Sequence, residues 1–521
     1  MTTNTTAAGT FDYVVVGAGS AGCILARRLA DSGASVCVIE SGPADRSPFI
    51  HVPAGFLRTL LDPALTWRYK AEGSEWTGGR RIPAVHGRLL GGSSAVNGMV
   101  WVRGQAADYD DWAAAGNPGW SFAQVLPYFE RAEAQLQVSD ADWHHPLCDA
   151  LIRAARESVP AGQAAPDAGY YRRNIHRGRR MSAARAYLRP LRQRPSLDLR
   201  CHAHAVGVRF DGRRAVAVRY VRDDARATVL EIAARREILL CAGALATPRL
   251  LQLSGVGAPA LLADLGINVV HALPGVGEHL RDHHTARIIA RARGVATINE
   301  LARFPRSILQ GMQWLVGQPS LVGVSAAIAY AFLRSAPDVE RPDLALIFTP
   351  GSYKGGVLGL LDDFPGMTLG AWPLRPASSG FVRARTADPF ALPQVQPNYL
   401  ADEADRRVLL AGLRRARALL AAPAFERWVE REETPGPACA GDEALLEHAR
   451  GTGTTCNHFA GSCRMGPTAD PTTVVDAALR VHGIDGLRIA DASVMPMITS
   501  GNTNAPTMMI AEKAADLILG R

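Results

Sequence analysis

Lysine is almost missing from this chain: Lys70, Lys354 and Lys513 are the only three in 521 residues. The formal charge of +8 is therefore carried by arginine, and the arginines are scattered, with no stripe in which basic and aromatic residues interleave. That argues against a nucleic-acid partner. The densest run, Arg172, Arg173, Arg177, Arg179 and Arg180, reads as a solvated surface segment or pocket rim, with an anionic partner as the alternative. Paired cysteines are missing too. Cys23, Cys37, Cys148, Cys201, Cys241, Cys439, Cys456 and Cys463 form no C-x-x-C pair and no regular framework. This points to reduced, mostly buried thiols in a cytoplasmic protein. The first ten residues lack both a basic start and an apolar core, so no signal peptide is expected. The most apolar stretch, Leu321 to Leu333, is too short to span a bilayer, so no integral membrane segment is expected. No internal repeat or low-complexity tract is visible.

What is present is a long, ordinary globular composition, 47% apolar and 20% charged. A chain of this length outgrows a single core, so two domains are expected. Phe11 to Val16 is a short apolar run of the kind a buried parallel strand shows. Gly17, Gly19 and Gly22 follow in a G-x-G-x-x-G turn, then a helix through Ile24 to Ala30, a second strand through Ala34 to Ile39, and Glu40. Strand, helix, strand and acid in this register make a dinucleotide-binding βαβ unit. Gly17 permits the tight turn, Gly19 a close approach to pyrophosphate, and Gly22 the packing of helix on strand. The helix N-terminus offers N–H groups to phosphate. Glu40 can accept from both ribose hydroxyls. The motif alone does not separate NAD from FAD.

Further segments carry a resemblance: Gly87-Arg-Leu-Leu-Gly91-Gly92-Ser93-Ser94-Ala-Val-Asn97-Gly98, Gly243 to Gly257, Asp282-His283, Pro397 to Leu400, and Ser500-Gly501-Asn502-Thr503. Together they resemble the glucose–methanol–choline (GMC) oxidoreductases, with matches spread from about residue 11 to 515. The resemblance implies an α/β (α+β) fold with a Rossmann-like FAD-binding domain and a substrate domain built on an antiparallel sheet. It implies a discontinuous FAD domain over 1–155, 195–283 and 473–521, and a substrate domain over 156–194 and 284–472. FAD would then meet Gly17, Gly19, Ser20, Ala21 and Gly22, with Glu40 and Ser41 at the ribose end. Gly91, Ser93, Asn97, Gly98, Met99 and Val100 would run along pyrophosphate and isoalloxazine. Val206 would touch adenine through its backbone, and Asp491, Ala492, Asn502 and Thr503 would complete the set. Gly243 to Gly257 fits simple strand-to-helix packing as well as cofactor contact. Some members attach FAD through a histidine where this chain has Val96, so the FAD is expected to be noncovalent.

Alcohol oxidation needs a base for the hydroxyl proton and a hydride acceptor. Histidine suits the first role, yet there are 14 histidines. His458 stands out only by its setting, Thr455-Cys456-Asn457-His458-Phe-Ala-Gly461, which matches the family's catalytic segment. Asn502 matches the position of its partner. The expected reaction is oxidation of a primary alcohol or aldehyde hydrate, with oxygen, a quinone or an electron-transfer protein as electron acceptor. A lyase or photodecarboxylase of the same fold, or a noncatalytic flavin-binding protein, are the alternatives. Trp372 and Asn457 fall where relatives line the substrate pocket, although either could be packing. His279, His283 and His284 suggest a metal site by spacing, but the stretch resembles a structural segment of the family, and no metal is expected. His144-His145 reads as a surface loop. The segment from Glu130 to Leu147 is shorter than in many relatives, which leaves the entrance undefined.

Overall fold

The first strand is longer than its apolar part: β1 runs over Thr5–Val16. The helix α1 covers Ser20–Asp31 and the strand β2 Val36–Ile39, completing the expected unit. The structure is a computed structural model describing residues 5–159, 165–191, 193–356 and 360–521. β1 lies between two parallel neighbours, β2 and the strand Ala225–Leu240. Beyond β2 comes Leu197–Arg200, also parallel. On the other side Arg214–Arg222 and Ala203–Asp211 continue the sheet antiparallel, and Leu487–Ile489 pairs in parallel with the end of Ala225–Leu240. Parallel strands need both faces covered. Here α1 and the helix Asn504–Leu519 supply cover, and the second is buried along twelve consecutive residues, Ala505 to Asp516. Arg28 of α1 pairs with Glu512 and Asp516 of that helix, so the buried acids do not stand alone.

A second sheet is antiparallel throughout, in the order Val429–Thr434, His284–Ala292, Gly366–Pro373, Leu344–Thr349, Ala329–Leu333, Asp167–Tyr170. The helix Glu403–Leu420 packs its buried Leu409, Leu413, Ala416 and Leu420 against it. A four-stranded sheet joins Thr66–Ala71 and Ile82–Gly87 to Phe381–Arg383 and Gln394–Gln396. This is the expected fold class, a mainly parallel Rossmann-like sheet beside a separate antiparallel one.

Two expectations fail on burial. In the arginine run, Arg172, Arg177 and Arg179 are exposed, but Arg173 and Arg180 are buried. Arg180 donates to Ile50 O, Ser94 O and Asn97 Oδ1, which draws it under the signature segment rather than into solvent. His144 is exposed, whereas His145 is buried and caps the helix Pro146–Glu157, its Nδ1 accepting from Leu147 N at 3.2 Å.

Candidate active site

The three glycines of the first turn have different reasons to be glycine. A Cβ on Gly17 would lie 2.5 Å from Cys241 O, and one on Gly22 would lie 1.9 Å from Gly17 O. The chain itself forbids side chains there. A Cβ on Gly19 meets nothing nearer than 3.9 Å, so its outer face is left open for another molecule. Ser20 Oγ donates to Asn504 Oδ1 at 2.8 Å, which brings the N-terminus of α1 beside that of the Asn504–Leu519 helix. Both then turn free N–H groups toward one place. Ala21 and Gly22 are buried in the first turn of α1, and Thr503 stands immediately before the second helix.

Glu40 sits at the end of β2, with Oε2 accepting from Ala18 N at 3.0 Å and Oε1 from Gly42 N at 2.9 Å. Burial pushes its carboxyl up to about 7 against these two donors. Ser41 Oγ bonds His204 Nδ1 at 2.9 Å. Val206 falls between the pairs Ala205–Tyr220 and Gly207–Arg219, so it is the extra residue of a β-bulge, whose backbone the ladder does not use.

The signature segment packs directly on this turn. Gly91 N donates to Ala18 O at 2.8 Å, and a Cβ on Gly92 would lie 2.7 Å from Gly19 Cα. Ser93 Oγ accepts from Gly87 N at 3.1 Å. Asn97 Oδ1 accepts from Met99 N at 3.1 Å and Arg180 Nη1 at 2.8 Å, which fixes the direction of its amide. Met99 holds a left-handed φ of 61°, Val100 is buried, and Gly98 lies against Ala326. Asp491 Oδ2 accepts from Gly243 N at 2.8 Å and Thr247 Oγ1 at 2.6 Å, while Oδ1 accepts from Ser493 N. Its carboxylate thus ties the Gly243 turn to the loop that carries Ala492.

His458 and Asn502 lie side by side, with Asn502 Nδ2 2.8 Å from His458 Nε2. The other ring nitrogen, Nδ1, is 2.9 Å from Nδ1 of His283, and His283 Nε2 is 2.9 Å from Leu374 O. A carbonyl only accepts, so His283 Nε2 must carry a proton. Burial depresses His283 to about 4, so its ring is neutral at ordinary pH and Nδ1 is bare. That bare nitrogen accepts from His458 Nδ1–H. Burial holds His458 well below the usual histidine range, so it too is neutral. Its Nε2 is left with a lone pair that accepts from Asn502. One carbonyl therefore sets both tautomers and aims an unprotonated base at Asn502.

The surroundings hold this line in place. Asp282 Oδ1 accepts from His458 N at 2.7 Å, and its other oxygen takes Tyr399 Oη and Thr455 Oγ1. Burial pushes Asp282 up to about 6. Ser500 N and Oγ donate to Asp108 at 2.7 Å each, which anchors the loop bearing Asn502. Trp372 is buried with its ring centroid 6.1 Å from that of His283 and 6.3 Å from that of His458. Asn457 Oδ1 accepts from Val85 N at 2.8 Å, so its carbonyl is engaged with the strand Ile82–Gly87. Asn502 Oδ1 and Trp372 Nε1 are buried without a partner among the described residues.

Sequence reasoning missed His283 and Asp108. The signal for His283 was the Asp282-His283 pair, read only as a structural segment. Asp108 opens a helix and carries no motif. Among the described residues no group of three or more His, Cys, Asp and Glu could hold a metal ion.

Comparisons with known proteins agree along the whole chain. Residues 11–285 match the N-terminal and 376–511 the C-terminal family model described as GMC oxidoreductase. The chain is 36% identical over 531 residues to an alcohol dehydrogenase (acceptor) of Pseudomonas putida, covering 98% of this chain and 96% of that protein. It is 37% identical over 544 residues to oxygen-dependent choline dehydrogenase 1 of Chromohalobacter salexigens, with 99% and 96% covered. Among solved structures, pyridoxine 4-oxidase from Mesorbium loti superposes with a TM-score of 0.86 at 27% identity, covering 98% of this chain and 99% of that one.

Proposed function

The chain belongs to the GMC oxidoreductases, and from that premise we propose how it works as an FAD-dependent enzyme that oxidises CH–OH donors. The residues fit the cofactor. Gly19 leaves an open face between two helix N-termini, Glu40 waits at the strand end, and the buried Asn502 Oδ1 has no partner among the described residues. Bound FAD supplies the hydride acceptor. Every other step falls to this chain. The substrate hydroxyl takes the place of the direct Asn502–His458 contact, giving its proton to His458 Nε2 while its oxygen accepts from Asn502 Nδ2. His458 then carries the charge, which its Nδ1–H shares with His283 Nδ1. Trp372 forms an aromatic wall beside both rings and keeps water out.

The observation that carries this reading is the line from Leu374 O to His458 Nε2, which leaves a lone pair facing Asn502. The substrate is a primary alcohol or aldehyde hydrate, and the acceptor oxygen, a quinone or an electron-transfer protein. An alcohol panel with oxygen and an artificial dye as alternative acceptors tests both. A good substrate added without oxygen bleaches the wild-type flavin. His458→Ala should keep its flavin and stay yellow, and rapid bleaching of that variant would remove His458 from the role.

The proposed cofactor domain, 1–155, 195–283 and 473–521, contributes every strand of the parallel-type sheet, and 156–194 with 284–472 every strand of the antiparallel one. Val96 has no ring to bond flavin, so the FAD is held noncovalently. Acid precipitation should release the yellow colour to the supernatant, and a yellow pellet would refute this. No helix among the described residues is long and apolar enough to cross a membrane, and the free, mostly buried cysteines fit a reducing, cytoplasmic location.

A further inference from the structure

Amphipathic helices of globular proteins turn their apolar stripe inward. The helix Arg306–Leu315 does the reverse. Ile308, Leu309, Met312, Leu315 and the next residue, Val316, recur at helical spacing and share one face, and all five are exposed, Leu315 at 76% and Val316 at 73%. The inward side is polar or anchored. Gln310 Oε1 accepts from Leu321 N at 2.7 Å, and Trp314 Nε1 donates to Gly178 O at 2.7 Å. No residue of the helix is buried. Phe304, 81% exposed, extends the ridge at its start.

Positive charge borders this ridge. The Arg179 guanidinium lies over the Trp314 ring, 5.7 Å from its centroid, and Arg177 stands on the same exposed turn. Neither forms an ion pair with a carboxylate among the described residues. Arg303 and Arg306 flank the other end, only partly offset by Asp363 at 3.4 Å and Glu300 at 3.7 Å. A contiguous apolar patch of this kind marks an interaction surface.

We propose that this face seats the enzyme peripherally on an anionic lipid bilayer. The apolar ridge would enter the boundary of the acyl chains while the guanidinium groups meet lipid phosphates. A helix of about 15 Å cannot span a bilayer, so it lies in the plane of the surface. Charge favours lipid over a second copy: a two-fold contact would bring the arginine borders of both copies together. The chain leaving the helix reaches Ala326, whose N–H donates to Gly98 O at 3.0 Å. The segment that follows the proposed lipid-binding helix thus packs on the signature segment, which links the two regions through the chain.

The test is co-sedimentation of the holoenzyme with vesicles of phosphatidylcholine alone and of phosphatidylcholine mixed with phosphatidylglycerol. Binding is expected only to the mixed vesicles and should fall with salt. Arg177→Gln with Arg179→Gln should weaken it about thirtyfold. Leu315→Glu with Val316→Glu should abolish it, flavin content and unfolding temperature being unchanged. Absence of binding, or equal binding by the Leu315→Glu, Val316→Glu variant, overturns the proposal. So does a dimer in sedimentation velocity that this substitution dissolves while vesicles leave the wild type in solution.

Discussion

Leu374 O, His283, His458 and Asn502 form a line in which each proton is placed by the neighbour before it. The Arg306–Leu315 helix is ordered the opposite way, with its large apolar side chains in water and its glutamines and tryptophan against the protein. In the buried corner most polar groups satisfy one another, and Asn502 Oδ1 and Trp372 Nε1 are among the atoms left without a partner among the described residues. On the helix, the apolar groups satisfy nothing. The two regions teach the same lesson with opposite chemistry. A buried polar atom without a partner and an exposed apolar face without cover both show where the chain's own contacts stop and another molecule begins.

The largest effect should come from the end of the polar line. His458→Ala removes the base and should lower kcat/KM by about 10²–10⁴ with flavin still bound; steady-state kinetics on flavin-loaded protein checks it. In the wild type the base works only when deprotonated, and burial holds it below the usual histidine range. The acid limb of kcat/KM should therefore lie below about pH 6.5, with a flat profile through neutrality. A limb above that value would mean that His458 is not the neutral base inferred from its neighbours. Asn502→Ala removes a donor to the developing alkoxide, which should cost about 10²–10³ in kcat. An effect confined to KM would reduce Asn502 to a binding contact.

Much of this corner was legible in the sequence, and the limit is physical. The Gly17 turn, α1, β2 and Glu40 are contiguous, so spacing reveals them, whereas His458 and Asn502 stand out only through the resemblance of their local segments to those of the family. The strands Leu344–Thr349 and Gly366–Pro373 are mostly apolar runs in the chain. The neighbouring strand begins only at Ala329, because the chain before it turns through Leu321–Gly323 and packs Ala326 onto Gly98. The His283–His458 contact joins residues 175 apart in the chain, and no periodicity reports that distance. Arg180 failed for a related reason: a run of arginines looks solvated until its backbone acceptors, Ile50 O and Ser94 O, are brought over it by the fold. The stripe on Arg306–Leu315 can be read from residue spacing, but not the direction in which it points.

His283 gives a smaller effect and a sharper one. His283→Leu removes the acceptor for His458 Nδ1–H, and a lost bond to the charged imidazolium should lower kcat by about 10–10². His283→Asn places an amide oxygen near the lost Nδ1 and should recover most of that loss. If the two variants are equally impaired in kcat, His283 serves packing alone, and the polar line is not what aims the base.

The smallest expected effect tests the other half of the comparison. Ile308→Ser and Met312→Gln alter side chains that are 52% exposed in both cases, so unfolding free energy in solution should change by less than about 0.5 kcal/mol. Leu346→Ala, in the core of the antiparallel sheet with its side chain fully buried, should cost about 2–5 kcal/mol by contrast. Denaturant titration of the three variants with flavin bound checks both numbers. A loss above about 1 kcal/mol at Ile308 or Met312 would mean that the stripe is covered by the chain itself in solution. The helix would then be an ordinary packed element, and the contrast with the polar corner would disappear.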